Sequence, residues 1–201
     1  MTSTADLEPP GSPNGKEILV PRSRQAWRRW LASHPERNEG LWIVYRKKSS
    51  SLEGPVYDDL VEEALCFGWI DSTTRRVDGD RTVQWFSPRR PGGMWSALNK
   101  ERIARLTQQG QMTEVGQAAI DEAKANGSWS QTDSVDALVV PPDLQVALDA
   151  VPGATAAYVG IADSTKRQYL WWIHSAKRPT TRATRIEETV RRLASGRTDF
   201  V

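Results

Sequence analysis

Residues 63–76 read EALCFGWIDSTTRR. Before this stretch, Tyr57, Leu60, Val61, Ala64 and Leu65 make one apolar face at helical spacing, which predicts a helix over residues 57–67. Gly68 can stop it. Residues 69–77 and 81–86 then suit two strands joined around DGD, where Asp78-Gly79 is a strong hairpin signal. The stretch therefore marks where a helix hands over to a hairpin, and it predicts a small antiparallel sheet. Helical patterns dominate the remaining chain, so the expected fold class is α+β, predominantly helical.

Upstream, Ser23 can cap a helix over RQAWRRWLASH, with Ala26, Trp27, Trp30 and Leu31 on one face. Pro35 ends it near His34. LWIVYRKK, residues 41–48, is aromatic and β-branched and predicts the first strand. Downstream, SPRRPGG is a loop stiffened by Pro88 and Pro91 and released by two glycines. Trp95, Leu98, Leu106 and, more weakly, Ile103 outline the face of the next helix. Thr113 can cap a helix from Glu114 to about Asn126. Residues 128–140 read as irregular. Further helices are expected from Pro142, after Pro152, and through YLWWIHSAKR to the break at Pro179, before a basic closing helix over TRATRIEETVRRLASG. Residues 1–17 are expected to be a flexible leader, and residues 18–201 a single domain with a basic helical segment at 164–195.

Composition narrows the function classes. The chain has 201 residues, 38% hydrophobic and 26% charged, a mixture that can bury a core and is not that of a disordered chain. The lone cysteine, Cys66, excludes a disulfide within the chain and favours a reducing compartment. No apolar run approaches a membrane span, and the first residues lack a secretory core. The expectation is a cytoplasmic protein without membrane insertion. The formal net charge is only +2, but residues 164–201 hold nine Lys/Arg against three Asp/Glu, while residues 1–163 hold eighteen against twenty-two. Such a tail can meet nucleic acid or the acidic body of its own protein, and the second is favoured. There is no GxGxxG, no GK[ST] loop and no HExxH. Two histidines and one cysteine cannot build a His/Cys zinc site. No metal and no cofactor is expected.

Three stretches could carry chemistry. In the first, Glu63 and Asp71 are candidate proton-transfer groups, with Trp69 and Arg75 beside them. Carboxylates and an arginine in one cleft can orient a polar ligand; the same residues can equally form an ion-paired junction. In FSPRRPGGMWSALNK, Arg89 and the free N–H groups of the next helix suit an anion, and Ser96 and Asn99 share a face there. In YLWWIHSAKRP, Trp172, His174 and Lys177 cluster at a helix end, with His174 a weak acid or base candidate.

Together, EALCFGWIDSTTRR, FSPRRPGGMWSALNKERIARL and YLWWIHSAKR resemble the bacterial YdeI/OmpD-associated proteins over about residues 20–195. Glu63, Gly68, Trp69, Asp71, Arg89, Trp95, Ser96, Asn99, Trp172, Ser175, Lys177 and Arg178 match the recurring pattern. The resemblance implies an association with bacteriocin protection or an outer-membrane porin, and no particular reaction. The leading expectation is a cytoplasmic stress- or envelope-linked accessory protein that binds a small anionic ligand or a protein partner through Asp71, Arg89 and Asn99. One alternative is a metal-independent hydrolase or transferase with Asp71 or Glu63 as base. The other is a nucleic-acid-binding protein using Arg182, Arg185, Arg191 and Arg192. The oligomeric state is left open.

Overall fold

The structure is a computed structural model that describes residues 13–197 together with Asp199 and Phe200. The expected leader over residues 1–17 lies outside the described residues up to residue 12, and Pro13–Gly15 forms a short 3-10 turn. The chain divides into two compact units, one up to Trp129 and one from Ser130.

Among the described residues, the first unit holds four strands: β1 (Ile18–Leu19), β2 (Leu41–Arg46), β3 (Trp69–Arg76) and β4 (Arg81–Pro88). Their order is β1-β2-β4-β3. The β3–β4 hairpin is antiparallel as expected, and β2 joins β4 antiparallel as well. The sheet is nevertheless mixed, because β1 pairs with β2 in parallel. A parallel partner needs a crossover, and α1 (Arg24–Ser33) supplies it between β1 and β2. A strand of two residues is too short to leave an alternation to read in the sequence. The fold class α+β stands, with helix dominating.

Helices α1, α2 (Tyr57–Cys66), α3 (Ala97–Gln108) and α4 (Glu114–Ala125) complete this unit. Ser23 caps α1 by accepting from the Ala26 N–H at 3.1 Å, and Thr113 caps α4 through the Gly116 N–H at 3.2 Å. Trp27, Leu60, Leu65, Phe86, Trp95 and Leu106 form the centre of the core. The buried Trp27 indole N–H donates to the Leu60 carbonyl at 3.1 Å, which satisfies its one polar group. Alternate β2 residues divide between two clusters: Leu41 and Ile43 join the main core, while Trp42 and Val44 pack with Val83 on the other face. That two-sided burial explains the unbroken apolar run LWIV. Leu98, expected on the buried face of α3, is 55% exposed. Asn99, Ile103 and Leu106 hold that face instead, because the helix starts after Trp95 and its buried stripe follows a different phase.

The second unit is helical in the described residues: α5 (Asp133–Asp136), α6 (Pro142–Asp149), α7 (Ala154–Gly160), α8 (Asp163–His174) and α9 (Pro179–Ala194). Leu144, Leu148, Tyr169, Ile173, Ile186 and Val190 are at its core. The region expected to be irregular contains a 3-10 turn at Ser128–Ser130 and the single turn of α5. Pro179 sits in the first turn of α9, where its missing N–H costs nothing. Among the described residues, no helix is long and apolar enough to cross a membrane.

The junction between α2 and β3 is closely packed. The Cys66 carbonyl, at the open end of α2, accepts from the Thr113 hydroxyl at 2.5 Å and the Thr113 N–H at 3.2 Å. Gly116 follows on α4, and a Cβ there would stand 2.1 Å from the Cys66 oxygen. Gly68 then turns the chain with φ +72°, a conformation that favours glycine. Gly116→Ala must push α4 off the α2 terminus. It is expected to lower the unfolding free energy by about 3 kcal/mol, the upper range for overpacking, measured by urea denaturation.

Candidate functional site

The carboxylates on α2 are committed to arginines. Glu63 is buried, and both its oxygens are taken: Oε1 accepts from Arg24 Nε at 2.5 Å and Oε2 from Arg28 Nη1 at 2.7 Å. Glu62 accepts from Arg24 Nη1 at 2.9 Å and from Arg105. Burial alone would lower Arg24 and Arg28. The hydrogen bonds and charge of Glu63, joined at Arg24 by Glu62, outweigh it and hold both guanidiniums above their ordinary value. A general base needs a lone pair free to meet substrate, and Glu63 has each oxygen in an ion pair. Cys66 is buried beside this cluster, and burial followed by the Glu63 charge pushes its thiol up. That is the setting of an inert thiol.

Asp71 stands in a second polar network. Its Oδ2 accepts from the Tyr57 hydroxyl at 2.9 Å and from Gln84 Nε2. Gln84 in turn accepts from the Tyr45 hydroxyl at 3.2 Å. Burial, then the nearby Asp71 charge, pushes both phenols above their ordinary value, so each remains a donor. Tyr57, Tyr45 and Gln84 were not among the sequence candidates. The signal for Gln84 was a polar residue two positions from Phe86, on the inward alternation of β4. Arg75 is not part of this network. The β3–β4 register shifts between Asp71 and Thr74, and such a bulge reverses the alternation beyond it. Arg75 thus pairs opposite Val83 and lies over the Trp42 ring at 5.4 Å, on the other face of the sheet.

Trp69 is core, in edge contact with Trp27 and Trp30. Ser96 is the N-cap of α3, accepting from the Asn99 N–H at 3.3 Å. Asn99 is buried and accepts from Arg102 Nη1 at 3.2 Å, while Arg102 Nη2 reaches Asp58 at 2.7 Å. Ser96 at the start of α3 and Asn99 within it are therefore engaged in holding the helix.

Arg89 differs from every group above. Its backbone N–H donates to the Gly68 carbonyl at 2.9 Å, which ties its loop to the helix-to-hairpin junction. Its guanidinium carbon lies 3.5 Å from the centre of the Trp95 ring, and Nη1 donates to the Met94 carbonyl at 3.0 Å. Nε and Nη2 are buried and have no acceptor among the described residues. Burial drops the Arg89 pKa to about 10, with the Asp71 charge opposing that fall. Arg89, Gly93, Trp95, Glu122, Asn126 and Ser128 line a small pocket of about 20 Å³. Ser128 is 6% exposed and its Oγ is also buried without a partner among the described residues. Sequence reading missed Ser128, which sits in a stretch without periodicity.

Trp172, His174 and Lys177 belong to the second unit. His174 is exposed at the end of α8, 5.8 Å from the Trp171 ring, and Lys177 is exposed. Trp172 lies edge-on to Phe200 with Arg185 over its ring at 5.4 Å. The α9 arginines have partners within their own unit. Arg182 grips Asp143 through Nε and Nη2 at 2.6 and 2.8 Å. Arg191 grips Glu188 in the same way at 2.9 and 2.7 Å. Arg185 donates to the Trp172 carbonyl and the Ser175 hydroxyl, and Arg192 lies near Glu188 and Asp199. Among the described residues, no group of three or more His, Cys, Asp and Glu is placed to hold a metal ion.

Comparison with known proteins divides the chain along the same line as its contacts. Residues 19–119 match the family model described as Domain of unknown function (DUF8412). Residues 137–196 match the one described as Bacteriocin-protection, YdeI or OmpD-Associated. No curated protein and no solved structure matches the chain.

The paired state of Glu63 has a measurable consequence. Glu63→Ala leaves Arg28 without a carboxylate and Arg24 with one hydrogen-bonded carboxylate, Glu62, in place of two, and is expected to cost about 3 kcal/mol, the lower end for a broken buried pair, in urea denaturation. A change below about 1 kcal/mol, the level of exposed pairs, would show that the cluster does not hold α1 to α2.

Proposed function

The chain belongs to the DUF8412 family and its second unit matches the YdeI/OmpD-associated family model, and from that premise we propose that it is an accessory protein that binds a small anionic ligand at Arg89. One observation carries this reading: the buried Nε/Nη2 edge of Arg89 has no acceptor among the described residues. A buried, uncompensated cation is costly. Fixed over Trp95 and tethered through Nη1 to Met94, the guanidinium is held ready for an anion. The chain itself displays the chemistry that fits that edge. Arg182 and Arg191 use the same Nε/Nη2 pair to hold Asp143 and Glu188. Two parallel donors in this fork match a carboxylate or phosphate. The Ser128 hydroxyl can add a third donor.

Asp71 supports the site at a distance by favouring the charged form of Arg89. Its donors from Tyr57 and Gln84 and the double pairing of Glu63 favour binding over proton-transfer chemistry. The partners of the α9 arginines likewise favour a small ligand over nucleic acid. The description of the second unit's family supports a role in bacteriocin protection, and the lone cysteine of the chain supports a reducing compartment such as the cytoplasm.

Arg89→Met separates a ligand-holding arginine from a merely structural one. Removing two orphaned donors gains about 1–3 kcal/mol each, against about 2 kcal/mol for the lost ring stack. The variant is expected to unfold at equal or higher urea concentration and to lose calorimetric binding of acetate and phosphate. The pH dependence has a defined sign. Between about pH 10, the folded value, and the higher ordinary value of an arginine, the unfolded chain binds a proton that the folded chain has released. Stability relative to Arg89→Met therefore rises with pH across that window, while anion binding is lost as pH passes 10. A destabilised Arg89→Met protein that still binds these anions would sink the proposal.

A further inference from the structure

Residues 164–201 carry nine Lys/Arg against three Asp/Glu, and the fold decides where that excess lies. On α9 much of it is spent. Arg182 grips Asp143, Arg191 grips Glu188, and Arg192 lies near Glu188 and Asp199. On α8, Lys166 pairs with Asp163 at 3.3 Å. Arg167, Lys177 and Arg178 are exposed and have no ion pair or side-chain hydrogen bond among the described residues.

These free cations surround an aromatic ring. Arg167, Trp171 and His174 follow one another in α8 at spacings of four and three, so they share one face of the helix. Tyr169, Leu170 and Ile173 are buried, which turns that face outward. Trp171 is half-buried, and the exposed His174 ring stands 5.8 Å from it. Lys177 and Arg178 follow at once, before Pro179 opens α9, whose first turn has no acidic residue. Arg185 adds a guanidinium without a carboxylate at the same helix end, donating to the Trp172 carbonyl and the Ser175 hydroxyl.

We propose that this face of the second unit is a docking surface for single-stranded nucleic acid, independent of the Arg89 site. Phosphates are the charge complement of Arg167, Lys177 and Arg178, and a base can stack on Trp171. Ser164, Gln168 and Ser175, on the same face, are exposed and polar, so it lacks the apolar stripe that a bilayer surface requires. A duplex hides its base faces and leaves Trp171 unused. Contacts to phosphate and to the π-face of any base carry little sequence information, so binding is tolerant of sequence. The nucleic-acid reading thus moves from the α9 arginines, which have partners, to α8 and the residues that follow it.

The test measures fluorescence anisotropy of a labelled oligo-dT of about 16 nucleotides with the full chain at about 50 and about 200 mM salt. The expected Kd at the lower salt is about 1–100 μM, and the higher salt weakens it about twentyfold, as three phosphate contacts on a single strand require. The exposed triple variant Arg167→Ala/Lys177→Ala/Arg178→Ala is expected to bind at least tenfold more weakly and to flatten the salt dependence. Trp171→Leu, which keeps an apolar body on the half-buried side, is expected to weaken binding at least fivefold with the salt dependence unchanged. Arg191→Ala is expected to change it less than twofold. Thermal melts confirm that each variant is folded. The proposal is overturned by absence of oligonucleotide binding at the lower salt, by binding that survives the triple variant, or by equal affinity for a duplex of the same length. Binding of phosphatidylglycerol vesicles in preference to the oligonucleotide overturns it in favour of a membrane surface.

Discussion

The first unit depends on how α2 ends. A helix terminus leaves carbonyls without partners, and here one of them, on Cys66, is capped from outside by Thr113. The cap brings α4 so close that only a glycine fits at position 116. Two residues after Cys66, Gly68 turns the chain into β3, and its carbonyl receives the Arg89 N–H from the end of β4. One junction therefore sets the docking of α4, the start of the hairpin and the origin of the loop that carries the candidate site.

Two opposite treatments of charge lie close together in this unit. Glu62 and Glu63 are buried, but every oxygen meets an arginine or guanidinium edge. Such clusters bring little net stability over an apolar core, yet resist loss of any one partner. They are structural by virtue of being complete. Arg89 is incomplete, with one donor used within the protein and two that find no acceptor among the described residues. Within the first unit, Arg89 is the arginine whose buried donors find no acceptor among the described residues, and such a group calls for an explanation. Within EALCFGWIDSTTRR, Glu63 is spent on α1, and the junction is tied to the Arg89 loop through the Gly68 carbonyl.

Legibility in the sequence followed periodicity. The α1 and α4 caps, the β3–β4 hairpin and the basic α8–α9 segment all rest on local rules, and each element formed near its expected bounds. Leu98 was misplaced because the helix began after Trp95, which shifted the buried stripe to Asn99. Arg75 left the side of Asp71 because a bulge added a residue to β3; nothing in STTRR marks where alternation breaks. β1 was too short to show a pattern, and its parallel pairing depends on Trp42 and Ile43 more than twenty residues later. Of the candidate site, Arg89 was legible as a cation between two prolines. Ser128 and Glu122 were not, since they reach the pocket through the packing of α4.

By itself the sequence determined the α+β class, the helix-to-hairpin junction and the presence of a restrained arginine loop, because caps, turns and alternation are local properties of backbone and side chain. Only the tertiary structure decided which charges would be neutralised and which would not. That depends on distances between residues far apart in the chain, such as Arg24 to Glu63 and Arg89 to Ser128, and burial makes an unmet hydrogen bond expensive only after those distances are set.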